Sequence, residues 1–285
     1  MTPDAPAPAA DLEAVWSDRV RANREQAERL RESIPPDFYA PVTSLFVADP
    51  RRTDEPVLDV LQALARPEST WLDIGAGAGR YALPLALRVR SVIAVEPSAG
   101  MRRALRTGID EHGIANVRIV PGSWPEALGD LGPLPAADVA FIAHVGYDIE
   151  RIGPFLDAME AAAGERCVAV MTDRSPGAVA DPFWPRVHGE ERVPLPALPD
   201  LLALLEARGR RADAVRVERS TRSFDSVDAL AAFLRRQLFI VEGGGKDERF
   251  RSALRDMVVN RDGAWTLAEG PAGSVGVVTW RVPTG

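Results

Sequence analysis

Cysteine is almost absent. The 285-residue chain carries one, Cys167, so no internal disulfide can form, and a reducing, cytoplasmic compartment is expected. Three scattered histidines without nearby cysteines give no zinc spacing, and no metal is expected. Lysine occurs once, at Lys246, so nearly every cation is arginine, a bias expected of a GC-rich bacterial genome. The formal net charge of -7 argues against a nucleic-acid partner. The pairs Arg102/Arg103, Arg210/Arg211 and Arg235/Arg236 have acids nearby and read as solvated surface. Long apolar runs are missing too, so no helical membrane span and no membrane partner are expected. Residues 1–10 lack the basic-then-apolar order of a secretory signal and read as a disordered leader.

What is present is an ordinary globular composition, 46% apolar and 26% charged, sufficient for a large core. Leu12, Val15, Trp16, Val20, Ala27 and Leu30 recur at helical spacing from Asp11 to Ser33, and Pro35-Pro36 stops that helix. A second helix is expected around Val57, Leu58, Leu61 and Leu64, giving an N-terminal helical cap over residues 11–66. From Thr70 short apolar runs alternate with helical segments, the pattern of a parallel sheet wrapped by crossover helices. Trp71–Ile74, Ser91–Val95, Val117–Val120, Asp138–Ala143 and Cys167–Met171 supply five strands, Ala214–Val217 a sixth and Ser274–Val282 the last. The fold class is therefore α/β, a doubly wound, mostly parallel seven-stranded sheet spanning residues 67–285. A proline-rich loop over 175–199 and a helical insertion over 225–260, before the last strand, are added to it.

Gly75-Ala76-Gly77-Ala78-Gly79 follows the first strand directly. Glycines there let a ligand approach the backbone without Cβ clashes, and the following helix presents unpaired N–H groups. Glu96 ends the second strand, where a carboxylate accepts hydrogen bonds from both hydroxyls of a ribose. Two ligands compete for this geometry, a dinucleotide such as NAD and S-adenosylmethionine. A dinucleotide loop wants Gly or Ala at its sixth position, and Arg80 stands there.

The stretch from Trp71 to Asp173 resembles the class I S-adenosylmethionine-dependent methyltransferases of small-molecule type. LDIGAGAGRYALPLA is similar to their loop motif and VIAVEPSAGM to their acidic motif, followed by NVRIVPGSW and DVAFIAHVGYDIERIGPFL. The resemblance implies a Rossmann-like methyltransferase fold with S-adenosyl-L-methionine as cofactor and S-adenosyl-L-homocysteine as product. It implies that Asp73, Gly75, Ala76, Gly77 and Gly79 surround the methionine part, Glu96 holds the ribose, and Pro97 and Met101 flank the adenine. Ser123 and Trp124 stand where the family often places an acid on the adenine amino group, and Ala143 ends the fourth strand beside the cofactor.

His144 and Tyr147, just beyond that strand, are the candidates for chemistry. Methyl transfer needs a nucleophile in line with a methyl group, so positioning can suffice without a strong base. The fourth strand's end lacks the Asn/Asp-Pro-Pro-aromatic sequence of amino-methylating nucleic-acid enzymes, and Cys167 follows Arg166 rather than Pro. A small-molecule acceptor with an oxygen, nitrogen or carbon nucleophile is expected, within a pocket walled by Trp16, Tyr39, Phe183 and Trp184 and joined by Arg19. A cofactor-binding sensor or partner protein without turnover is the alternative. The sequence does not fix the oligomeric state.

Overall fold

The computed structural model describes residues 7–33, 43, 45–218, 222–268 and 273–283. Its centre is a seven-stranded sheet of β1 (Thr70–Ile74), β2 (Ser91–Glu96), β3 (Val117–Pro121), β4 (Ala137–Ala143), β5 (Ala163–Thr172), β6 (Ala212–Glu218) and β9 (Ser274–Arg281). The order is β3-β2-β1-β4-β5-β9-β6, with β9 antiparallel to both its neighbours and the remaining pairs parallel. This is the doubly wound sheet that the alternating pattern predicts. The order reverses between β1 and β4, opening a crevice outside the carboxyl ends of the strands, where such folds bind ligands.

Strand alternation sorts the core into two layers. Leu72, Ile74, Val95, Ala140 and Ile142 face Phe155, Leu156 and Met159 of α5 (Ile152–Ala162) and Leu201, Leu204 and Leu205 of α7 (Leu198–Ala207). Trp71, Val92, Ala94, Phe141 and Val170 face α2 (Pro56–Leu64), the short α3 (Ala82–Ala86) and Leu105 of α4 (Ala99–His112). Ser98 caps α4 by accepting the Met101 N–H at 3.1 Å, and Gly113 ends it in a left-handed conformation.

The N-terminal helix α1 (Ala9–Leu30) belongs to the first layer. Trp16 and Val20 are each 2% exposed within that core, packed beside α5 and α7. The predicted loop over 175–199 is more regular than the prolines suggest. Pro176–Phe183 forms a 3-10 helix with Pro182 inside it and Trp184–His188 the helix α6; Pro176 and Pro185 stand in first turns, where a missing N–H is not needed. These pack against α8 (Val227–Leu238) and α9 (Gly245–Met257) around Phe183, Trp184, Leu234, Leu238 and Phe250, a third core that also takes Leu30 from α1. A hairpin absent from the sequence reading, β7 (Val258–Arg261) and β8 (Ala264–Leu267), closes the insertion. Among the described residues no helix is long and apolar enough to cross a membrane.

Candidate cofactor and acceptor site

The glycine loop leaves β1 at the sheet's reversal point, and its glycines do different work. Gly75, Gly77 and Gly79 all have positive φ, which side chains disfavour. A Cβ on Gly75 would lie 2.6 Å from Val145 Cγ2, and one on Gly79 would lie 2.5 Å from Leu105 Cδ1 and 2.9 Å from Leu83 Cγ. These two glycines let the loop close onto the β4 loop and onto the helices. A Cβ on Gly77 would meet no protein atom within 4 Å, so that position borders open space. Gly79, not the following residue, provides the tight helix contact, which explains how Arg80 is accommodated.

Glu96 lies beside this opening, 5% exposed. The backbone N–H of Gly77 donates to its Oε2 at 2.8 Å and the Ser98 N–H to its Oε1 at 2.7 Å. The carboxylate thus ties the loop to the start of α4 while bordering the open space. Asp73 falls on the same sheet face, since β1 and β2 run parallel with Asp73 opposite Ala94. It is 2% exposed, and its carboxyl has no hydrogen-bond partner among the described residues. Burial, and then the charge of Glu96, push it well above the usual carboxylate range. Met101 is buried near the start of α4, whereas Pro97 and Ser123 are exposed. Trp124 lies in the first core layer and donates its indole N–H to the Phe155 carbonyl at 3.2 Å, so the indole takes the role of a core side chain.

Beyond β4 the side chain of His144 is exposed at the carboxyl edge, and its backbone is left-handed with φ 58°. The His144 N–H donates to the Val170 carbonyl at 2.8 Å, and its ring centroid stands 6.4 Å from that of Tyr81. Tyr147 turns the other way. Buried in the core, its hydroxyl accepts the Thr172 N–H at 2.7 Å and pairs with Thr172 Oγ1 at 2.9 Å, bracing the β4 loop on the end of β5. That position corrects the expectation of Tyr147 as a reacting group.

The expected acceptor wall is also corrected. Trp16 donates its indole N–H to the Ile149 carbonyl at 3.0 Å from within the core. Arg19 is engaged by Asp200 at 2.6 Å and by the carbonyls of Leu195 and Pro194. Phe183 and Trp184 are interior to the third core, Phe183 edge-on to Phe250 and Trp184 beneath the Arg192 guanidinium at 4.6 Å. Helical periodicity marks Trp16 as buried without showing against what. Tyr39 lies outside the described residues.

The sequence reading did not anticipate a polar cluster beside the loop. Glu55, at the start of α2, accepts from Arg52 Nε at 2.6 Å, Arg80 Nη2 at 2.8 Å and the Tyr81 hydroxyl at 2.8 Å. Burial works against its charge, but the bonds from Arg52 and Tyr81 and the field of Arg80 hold its carboxyl below the ordinary range. The signal available was the Arg80-Tyr81 pair after the last loop glycine, an abrupt change from small residues to large polar ones. Cys167 is buried in β5, and burial pushes its thiol up, reinforced by Glu160, so it is no ready nucleophile. Among the described residues no group of histidine, cysteine and carboxylate side chains is placed to hold a metal.

No family model matches the chain. Over 75 residues it is 37% identical to a tRNA/tmRNA (uracil-C(5))-methyltransferase of Pseudomonas putida, covering 25% of this chain and 21% of that protein. Over 122 residues it is 30% identical to a probable cobalt-precorrin-6B C(15)-methyltransferase (decarboxylating) of Methanothermobacter thermautotrophicus, covering 42% of this chain and 60% of the relative. The matches thus span less than two thirds of either relative. Among solved structures, an S-adenosylmethionine-dependent methyltransferase from Thiobacillus denitrificans, in complex with S-adenosyl-L-homocysteine, superposes with TM-score 0.51 at 14% identity. That match covers 87% of this chain and 98% of the other. Strand order, the glycine loop on β1 and this superposition show that the chain has the fold of the class I S-adenosylmethionine-dependent methyltransferases.

Proposed function

We propose that the protein transfers a methyl group from S-adenosylmethionine to a small-molecule acceptor. The observation that carries this reading is the open cradle at Gly77 flanked by the Glu96 carboxylate. The residues suit the cofactor. Glu96 places its carboxylate beside the Gly77 opening, where ribose hydroxyls can donate to it. Met101, with Pro97, offers an apolar border for the adenine, and Asp73 supplies a buried carboxyl toward the cationic methionine end. Gly75, Ala76 and Gly77 give backbone approach, Gly79 acts by packing, and Ser123, Ala143 and the Trp124 backbone complete the rim.

The bound cofactor would supply an electrophilic methyl group on sulfur. The chain's part is to hold that end at the carboxyl edge and bring the acceptor into line, which is worth several orders of magnitude in rate without a strong base. His144 is a polar side chain exposed at that edge, and we assign it to orienting the acceptor or taking its proton. The net charge of -7 favours a small acceptor over RNA, and the burial of Cys167 speaks against its use as a nucleophile on a pyrimidine ring. The test is S-adenosylhomocysteine formation with a panel of phenols, amines and hydroxy acids, and with bulk tRNA. Turnover with a small acceptor and none with tRNA is expected. Methyl incorporation confined to RNA would overturn the acceptor class, and absence of binding by S-adenosylmethionine would overturn the whole reading.

A further inference from the structure

Asp73 is a buried carboxyl of the site with no hydrogen-bond partner among the described residues. It stands on β1, flanked by Ala94 of β2 and Phe141 of β4, so neither neighbouring strand offers it a polar side chain at that level. It is almost completely buried, and its carboxyl lacks a hydrogen-bond donor among the described residues. The ionisable groups at this edge include Glu96 at the end of β2, Arg102 of α4 on the carbonyls of Glu96 and Pro97, the Arg52–Glu55–Arg80–Tyr81 cluster, His144 and Asp148 after β4, and Asp173 after β5. Of these, only Glu96 adds appreciably to burial in acting on Asp73, and its like charge favours the proton. The arginines are directed elsewhere, onto Glu55 and onto backbone carbonyls. An unpaired carboxylate buried beside another carboxylate is costly, and both causes favour the protonated form.

Resting on the cofactor reading above, we propose that Asp73 is a charge-sensing residue that releases its proton when the cationic methionine end of the cofactor enters the site. The balance is simple: the neutral carboxyl loses one proton to solvent and the resulting carboxylate faces the incoming positive charge, with no covalent bond to the ligand made or broken. That end carries an ammonium and a sulfonium, either of which can displace the proton. After methyl transfer the sulfonium is gone, so a carboxylate that had answered it would regain its proton, favouring product release.

Calorimetric titration of the whole protein in buffers of different ionisation enthalpy, over a series of pH values rising from the ordinary carboxylate range, counts the protons at the pH of greatest release. About one proton should be released on binding S-adenosylmethionine and none on binding 5′-methylthioadenosine, which keeps the nucleoside and lacks both charges. S-adenosylhomocysteine separates the sources: release with it assigns the ammonium and its absence assigns the sulfonium, each supporting the proposal. Asp73→Asn should bind S-adenosylmethionine about tenfold more weakly and release no proton. Binding without proton release, equal release with 5′-methylthioadenosine, or release persisting in Asp73→Asn would overturn it. If the variant fails to fold, an infrared difference spectrum of the wild type decides, since a protonated-carboxyl band must vanish on binding. A protein that binds none of the three ligands would refute the cofactor reading instead.

Discussion

At the scale of single residues, Gly77 and Gly79 separate binding from folding. Gly77 borders open space, so Gly77→Val should fold with at most about 1 to 2 kcal/mol of backbone strain yet lose S-adenosylmethionine binding. Gly79→Ala drives a methyl group into Leu105 and Leu83 and should cost about 1 to 3 kcal/mol of stability, read by denaturant titration. A Gly77→Val chain that bound normally would mean the loop serves another purpose. Glu96→Ala should weaken binding by about 1.5 to 3 kcal/mol, the usual scale for hydrogen bonds to a charged group. The motif was legible in sequence because glycines with positive φ and a strand-end acid are fixed locally. The destinations of Tyr147 and Trp124 were not, because Thr172 and Phe155 lie far from them along the chain.

At the scale of elements, the N-terminal helix is part of the core. A helix placed over the cofactor would be dispensable for folding, but Trp16 is interior and donates to the Ile149 carbonyl, while Arg208 joins Glu13 of α1 at 2.7 Å. Trp16→Ala should cost about 3 to 5 kcal/mol, seen as a lowered denaturation midpoint. Removing residues 1–33 should therefore give an unstable chain, not a folded one that retains its cofactor. A well-folded truncated protein would show that α1 is an appendage. Periodicity revealed the helix and its buried stripe. It was silent on the partner, since α5 and α7 lie more than a hundred residues away. The hairpin β7–β8 escaped notice because its strands are four residues each and only half buried, too short for an alternation to register.

At the scale of the whole molecule, the sheet brings two acids from neighbouring strands into one crevice, and that has a pH signature. Asp73 binds its proton more tightly in the folded protein than in the unfolded chain. Its contribution to stability is therefore fully present below the ordinary carboxylate range and is lost as pH rises through the raised folded value. Asp73→Asn should accordingly gain in melting temperature relative to wild type as pH rises over that interval. A constant difference would mean the carboxyl ionises freely. Cofactor affinity should run the opposite way, rising with pH over the same interval in wild type and flattening in Asp73→Asn. The fold class itself was legible because a doubly wound sheet repeats one unit, an apolar strand and a crossover helix, that alternates visibly along the chain.

The most direct test of the account is calorimetry of S-adenosylmethionine against wild type and Gly77→Val at matched folding. The account predicts one equivalent bound by the wild type and none by the variant, with NAD binding neither. Equal binding by the two proteins, or binding of NAD and not of S-adenosylmethionine, would contradict it.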